Sequence, residues 1–336
     1  MRKLFTADIH LSLYSNDRLI EGIPERLHSA FHVLEQMAMY AKANGIKVIE
    51  IAGDLFNDKS LLHTRPFVML TAYFHKWKEL DFVLMSGNHD LDTTADDQIS
   101  IISGFESVPN VACIVNPYIF DNITYIPYTK NIAQDIEEAE GGDILISHFG
   151  LNEAQIVPGM SLTSNIKMSD LKKWKMVLLG HYHLPQDIDG KGTMVYYTGS
   201  PYQKDWNEKH QKKRFLVYDS KTLKVESILT DGYRKYIELI IDNSNKENAK
   251  DILAEAKQQR ADGNHVRVRN KTEEVIDEDD VFVISEKEID ITNRGVEITM
   301  STADKLRKYA EIKEIPATEM AEYLKMGIEL CQIKQI

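Results

Sequence analysis

Short apolar runs and helical repeats alternate along the first two-thirds of the chain. KLFTAD reads as a strand. Leu27, Ala30, Phe31, Leu34, Ala38 and Ala41 then recur at helical spacing, and Asn44-Gly45 predicts where that helix stops. KVIEIAGD predicts the next strand. Thr64 is placed to cap a second helix, with Pro66 in its first turn, running to about Leu80. DFVLMSG, VACIV, ITYIPY, DILISH, MVLLGH, MVYYTG and RFLVYD follow, mostly as strands. Helices alternate with strands early and strands dominate late. That order predicts two packed sheets flanked by helices rather than one doubly wound sheet.

Beyond residue 232 the pattern changes. YIELIIDN, a helical stretch near 246–260, HVRVRN and VFVIS predict a small α+β unit within 233–300. Two helical repeats, 302–312 and 317–331, flank Pro316. The second sets Met320, Tyr323, Leu324, Ile328 and Cys331 at helical spacing, either to pack on the chain's own body or to dock in a partner's groove.

At 336 residues the chain exceeds a typical single domain, so a large domain with a smaller one is expected. Its two cysteines, Cys113 and Cys331, have no metal-type spacing and suit a reducing compartment. No stretch approaches the roughly 20 apolar residues of a membrane span, and MRKLFTADIH reaches a carboxylate too early for a secretion signal. A cytoplasmic location is expected, in a bacterium or an infected host cell. The net charge of −12 disfavours an autonomous nucleic-acid binder, but the charge is uneven. Residues 271–290 carry nine acidic and two basic side chains, whereas LKKWK (171–175) and the run from Lys204 to Arg214 are locally basic. Basic runs of this kind are either solvated loops or phosphate contacts beside an active site. Lys204, Lys212, Lys213 and Arg214 are the candidates for the second role.

Five of the predicted strands end in metal-ligand residue types. The first ends in TADIH, with Asp8 and His10. The second ends in AGDLF, with Asp54. The third ends in SGNHD, with Asn88, His89 and Asp90. The fourth ends in ISHFG, with His148, and the fifth in LGHYH, with His181 and His183. Side chains two apart on a strand share a face, so Asp8 with His10, and His181 with His183, are each expected to point into one site. A glycine before Asp54, Asn88 and His181 lets the chain leave its strand sharply. Each motif alone has an ordinary reading as a turn, a cap or a hydrogen-bonded histidine. Five in order, all at strand ends, point to a metal site.

The order D-x-H, GD, GNHD, SH, GHxH resembles that of the calcineurin-like metallophosphoesterases over roughly the first 200 residues. The resemblance implies an α/β fold, a four-layer α/β/β/α sandwich. It also implies two divalent metal ions, manganese by preference. Asp8, His10, Asp54 and His183 would hold one ion. Asp54, Asn88, His148 and His181 would hold the other, with Asp54 shared. His89 would stand near the leaving oxygen, and Asp90 would either orient it or cap its turn. Two divalent ions about 3.5–4 Å apart activate water and neutralise charge on phosphoryl oxygens. Mixed imidazole, amide and carboxylate ligands suit manganese, iron or zinc.

The segment after Asp54, LFNDKS, lacks the Arg-Gly of phosphoprotein phosphatases. YTGSPYQKDWNEKHQKKRFLVYD (197–219) instead resembles the GSP segment of the nuclease subunits of double-strand-break repair complexes, the bacterial SbcD type and its archaeal, eukaryotic and phage counterparts. That resemblance implies hydrolysis of DNA, exonucleolytic (3′ to 5′) on duplex ends and endonucleolytic on single strands or hairpins. It implies a nuclease domain over 1–232, a DNA-binding capping domain over 233–300 and a helical segment over 301–336 that docks on a coiled-coil ATPase of the SbcC or Rad-fifty type. A homodimer within a heterotetramer would follow. The chain departs from the archaeal and eukaryotic pattern at Asn57, where those members carry a second histidine, and at Ser12, where glycine is common. Its compact length suits a phage-encoded or divergent member. Two rivals remain: a small-molecule phosphodiesterase acting, for instance, on cyclic nucleotides, and a non-catalytic scaffold for DNA ends. The scaffold predicts eroded ligands, yet all seven ligand positions and His89 are intact.

Overall fold

The computed structural model describes residues 1–14, 17–92, 99–272, 276, 281–285, 302–312, 316, 320–321 and 323–325. It divides into two units, Met1–Ile237 with Gln259–Val266, and Glu238–Gln258 with Arg267–Ile336. The larger unit begins with β1 (Arg2–Thr6), a small ribbon of β2 (Leu19–Ile20) and β3 (Ile23–Pro24), and α1 (Glu25–Ala43). Next come β4 (Val48–Ala52), α2 (Thr64–Lys76), β5 (Asp81–Met85), β6 (Val111–Ile114) and β7 (Tyr118–Phe120). After these run β8 (Ile123–Ile126), α3 (Ile132–Glu138), β9 (Ile144–His148), β10 (Met176–Gly180) and β11 (Gln186–Asp189). β12 (Met194–Tyr197), β13 (Arg214–Asp219) and β14 (Val225–Leu229) close the pair of sheets.

One sheet has the order β14-β13-β1-β4-β5-β6 and the other β11-β12-β10-β9-β8-β7. Within the first, β1, β4, β5 and β6 run parallel. Within the second, β12, β10, β9 and β8 run parallel, with β11 and β7 antiparallel at the edges. The two faces that meet bury Phe5, Ala52, Met85, Ile123, Ile146 and Leu178. The outer face of the first sheet packs on α1 and α2 through Ile49, Ile51, Leu34, Met37 and Phe74. The outer face of the second packs on α3 through Leu145, Val177 and Ile136. This is the α/β/β/α sandwich that the sequence predicts. Parallel strands end on one side of their sheet, so both sets of strand ends supply one edge of the sandwich.

The helices follow the apolar repeat. α1 buries Leu27, Ala30, Leu34, Ala38 and Ala41, leaves Phe31 half-buried, and stops at Asn44 with Gly45 at φ +66°. α2 departs from expectation at both ends. His63, not Thr64, occupies its N-cap, and the helix ends at Lys76 rather than near Leu80. The early stop has a visible cause. The Asn110 amide donates to the carbonyls of Phe74, Trp77 and Leu80 at 3.1, 3.3 and 2.9 Å, which satisfies groups that a longer helix would have to pair itself.

Between the sheets lies a buried charged network. The Glu50 carboxylate accepts from Lys3 Nζ at 2.8 Å and from the hydroxyls of Tyr125 and Tyr218 at 2.6 Å each. A buried pair contributes little net stability, but breaking it strands one charge. We expect Glu50→Leu to cost about 3–5 kcal/mol in urea unfolding. Adding Lys3→Met should restore most of that loss, and an additive double mutant would show that the two charges do not depend on each other.

The smaller unit contains most of a three-stranded sheet, β15 (Tyr236–Ile241), β16 (His265–Asn270) and β17 (Phe282–Ser285) in that order, with β17 parallel to β16. It also contains most of α4 (Ala249–Ala261) and all of α5 (Thr302–Ile312). Most of the acidic stretch 271–290, and Ile328 and Cys331 of the expected docking helix, lie outside the described residues. Met320, Tyr323 and Leu324 are described, helical and half-buried. Among the described residues no helix is long and apolar enough to cross a membrane.

Candidate metal centre

β1, β4, β5, β9 and β10 deliver their ends to one place. Asp8 and His10 follow β1, Asp54 follows β4, Asn88 to Asp90 follow β5, His148 ends β9, and His181 and His183 follow β10. The pleat of a strand does not aim them. Asp8, His10, Asp54 and His181 all have positive φ, at 58°, 51°, 51° and 89°. A left-handed residue reverses the chain locally, so these side chains turn inward after the strand has ended. Each such non-glycine residue costs on the order of 1–3 kcal/mol, a strain typical of functional sites. Glycines give the donors room. Gly53 is itself left-handed, at φ +88°, and a Cβ there would enter the His148 ring. A Cβ on Gly87 would press on the Asp54 amide and carboxylate.

Three overlapping groups of donor atoms, each within 4.8 Å of one another, form around these ends: Asp8–His10–His183, His10–Asp54–His89 and Asp54–His148–His181. Asp54 Oδ2 lies 3.5 Å from His10 Nε2 and 3.3 Å from His148 Nε2, so it stands between the outer groups. Asn88 Oδ1 joins the second side, 3.2 Å from His148 Nε2 and 2.9 Å from His181 Nδ1. On the first side His10 Nε2 and His183 Nε2 face each other at 3.1 Å, and each is 3.9 Å from Asp8 Oδ1. Asp8 also accepts from the His181 amide at 3.1 Å, which ties the ends of β1 and β10 together.

The outward nitrogens set the tautomers. His148 Nδ1 donates to the Ala52 carbonyl at 2.9 Å, His183 Nδ1 to Glu208 at 2.8 Å and His89 Nδ1 to the Asn57 carbonyl at 2.5 Å. Each bond directs Nε2 into the site, the usual support of a metal-binding histidine. The convergence is electrostatically demanding. Burial alone would lower His148, but the Asp54 carboxylate overrides it and lifts the imidazole to about 9. Burial, with His148 adding to it, pulls His181 down to about 3. Burial and Lys204 hold His10 well below the usual histidine range. Burial works to raise Asp54, yet His148 and His10 hold it well below the usual carboxylate range. Buried carboxylates and imidazole lone pairs packed this closely need cations between them, and the mixed oxygen and nitrogen donors fit divalent transition metals.

Asp90 serves its own turn rather than the His89 ring. Its buried carboxylate accepts from the amides of Gly87 at 2.9 Å, Phe56 at 3.0 Å and Leu55 at 3.3 Å. It therefore pins the loop after Asp54 to the loop carrying Asn88. Burial, then the Asp54 charge, push its carboxyl up to about 7 against those amides. The residue that orients His89 is Asn57, through its main chain. Ser12 is buried and donates to Asp58.

The basic run is not a solvent-facing patch. Lys213 is 1% exposed, pairs with Glu208 at 2.8 Å and donates to the His183 carbonyl at 2.9 Å. Arg214 reaches from β13 to the other sheet, bonding Asp187 on β11 at 2.6 Å and the Tyr197 carbonyl at 2.8 Å. Both cations are consumed inside the fold, which removes them as phosphate contacts. Lys212 is exposed. Lys204 is buried, with Nζ 3.0 Å from His183 Nε2, and burial pulls it down to about 8 against Glu208 and Asp8. In LKKWK, Lys173 donates to the carbonyls of Glu137 and Ala139 at the end of α3, and Lys175 pairs with Asp143. Glu208 is the residue the motifs did not reveal. It sits on a single 3-10 turn, Trp206–Glu208, within the GSP segment.

Two clefts of about 310 Å³ each open beside the centre. One is lined by His10, Tyr14, Arg26, Asn57, His89 and Lys204. The other is lined by Ile156, Val157, Tyr182, Asn207 and Gln211. Both share His181, His183, Asp205 and Glu208.

A buried set of paired carboxylates, histidines and one amide at the open edge of an α/β/β/α sandwich defines a metal-dependent hydrolase. The family model for calcineurin-like phosphoesterases matches residues 1–218, and the chain belongs to that family. Membership implies metal-dependent hydrolysis of phosphoesters. Among solved structures, the chain is similar to a novel archaeal phosphodiesterase, at 8% identity and a TM-score of 0.36, covering 68% of this chain and 100% of that one. It is also similar to hypothetical protein PH1004 from Pyrococcus horikoshii OT3, at 15% identity and a TM-score of 0.39, covering 79% and 98%. A third is TT1561 of Thermus thermophilus, at 12% identity and a TM-score of 0.40, covering 67% and 97%. No curated protein matches the chain.

Proposed function

We propose that the chain is a DNA nuclease with two divalent ions, manganese by preference, acting as the catalytic subunit of a repair or recombination complex with an SbcC-type coiled-coil ATPase. The observation that carries this reading is the pair of clefts that flank the centre. Their linings share His181, His183, Asp205 and Glu208, so there is room for a polymer on either side of these residues. The GSP segment and the donor order after each strand support the same reading.

Asp8, His10, Asp54 and His183 would hold one ion, and Asp54, Asn88, His148 and His181 the other. When bound, the ions supply Lewis acidity towards water and the phosphoryl oxygens. The chain does the rest. The carbonyls of Ala52 and Asn57 and the carboxylate of Glu208 hold three imidazoles in fixed tautomers. Asp90 keeps two donor loops in register. His89 lies in the cleft and is not needed in either ion's set; with its Nδ1–H held by the Asn57 carbonyl, the doubly protonated ring gives its Nε2 proton to the leaving oxygen.

The test is cleavage of an end-labelled linear duplex, a hairpin and a 3′,5′-cyclic nucleotide by the purified chain with manganese. We expect shortening of the duplex and opening of the hairpin, with little turnover of the cyclic nucleotide. The reverse preference would replace the nuclease by a small-molecule phosphodiesterase within the same family.

A further inference from the structure

The segment from Gly199 to Arg214 closes on His183 from both ring nitrogens. On one side Glu208 accepts from Nδ1 at 2.8 Å. On the other, Lys204 Nζ stands 3.0 Å from Nε2 and 3.4 Å from the Asp8 carbonyl oxygen. The Nδ1 proton is committed to Glu208, so Nε2 carries a lone pair and the ammonium donates into it. A metal at the Asp8–His10–His183 group needs that same lone pair.

The ammonium is held there. Lys204 is buried, its amide donates to Glu208 Oε2 at 3.0 Å, and its carbonyl accepts from the Tyr236 hydroxyl at 3.0 Å. Lys213 pairs with the same carboxylate at 2.8 Å, which also accepts from His183 Nδ1. The other donor group differs. There Asn88 bridges His148 and His181, and His148 faces Asp54.

We propose that Lys204 is a resident cation for the Asp8–His10–His183 position, its ammonium competing there with the metal ion. This rests on the ion assignment proposed above. An ammonium and a divalent ion a few ångströms apart repel strongly at the effective dielectric of a protein interior. The two ions therefore bind in unequal steps, the weaker at His183. Filling that position drives the ammonium off Nε2. It then faces the cleft that it lines with Tyr14 and Arg26, where the negative charge of a phosphodiester arrives.

The experiment is a manganese titration of the full chain, followed by the electron paramagnetic resonance of the free ion. We expect two steps of unequal affinity in the native protein. Lys204→Met, close in length and able to keep the packing, should strengthen the weaker step by about tenfold or more and leave the stronger one in place. A shift of neither step, or of both equally, overturns the resident-cation proposal while the ion assignment stands. Fewer than two ions bound by the native chain overturns the assignment and the proposal with it. A second measurement needs no variant: acetylation of Lys204 by acetic anhydride, read by mass spectrometry, should rise several-fold when manganese is added. Unchanged labelling of Lys204 in a protein that has bound two ions also overturns the proposal.

Discussion

Asp54→Asn should abolish phosphodiester hydrolysis, by on the order of a thousandfold or more, and reduce the manganese bound from the two ions proposed above to at most one. The substitution is nearly isosteric. The oxygen of the new amide can still accept from the His89 main-chain N–H, as Asp54 Oδ1 does at 2.8 Å. What changes is the other atom. Oδ2 lies between His10 Nε2 and His148 Nε2, at 3.5 and 3.3 Å, and an amide nitrogen there offers hydrogens where an ion needs a lone pair. The charge is lost as well, and it is the charge that sustains the raised basicity of His148. The metal-free protein should melt within a few degrees of the native chain, because a buried carboxylate has been replaced by an amide of the same shape. Hydrolysis of bis(p-nitrophenyl) phosphate and a manganese titration decide the matter. Retention of two ions and more than a tenth of the activity would mean that Asp54 is not shared.

The donors that the structure brings together were legible because each strand was an apolar run and each donor stood at its end or within a few residues after it. The way the donors are aimed was not. Same-face alternation explains neither Asp8 with His10 nor His181 with His183, since these follow the strands, and left-handed conformations at Asp8, His10 and His181 turn the chain. The residue types signal this only weakly, because aspartate and histidine, though enriched among non-glycine residues at positive φ, adopt it at a minority of positions. The sandwich was legible from the order of its central strands. Its edges were not: QDID of β11 has no apolar alternation, since it pairs through the backbone with β12 alone. Charge was the least legible quantity. Lys213 and Arg214 read as a basic loop, yet their partners Glu208 and Asp187 make them internal. Glu208 carried no signal of its own, because a carboxylate that serves a histidine 25 residues away has no local spacing to reveal it.

With the two ions and the DNA substrate proposed above, His89→Gln should leave both ions bound and lower kcat by about 10²–10⁴. The geometry permits two readings of this histidine. Its donor atoms fall within 4.8 Å of those of His10 and Asp54, so it could be a ligand. Its ring also lines the open cleft, with Nδ1 tied to the Asn57 carbonyl at 2.5 Å, so Nε2 is turned to meet substrate. Manganese titration separates the two, since a ligand's loss releases an ion and a proton donor's does not. The leaving group separates them again. A deoxyribose alkoxide needs a proton as the P–O bond breaks, whereas p-nitrophenolate is stable without one. For a proton donor, the loss on DNA should exceed the loss on bis(p-nitrophenyl) phosphate by at least about tenfold. A ligand's loss would damage both substrates alike. Asn57→Ala supplies the control, because the atom that orients His89 belongs to the backbone. That variant should keep most of the activity, since only the Asn57 main chain touches the His89 ring. If it proves as damaging as His89→Gln, the Asn57 side chain acts in catalysis and the main-chain tie is not what positions His89.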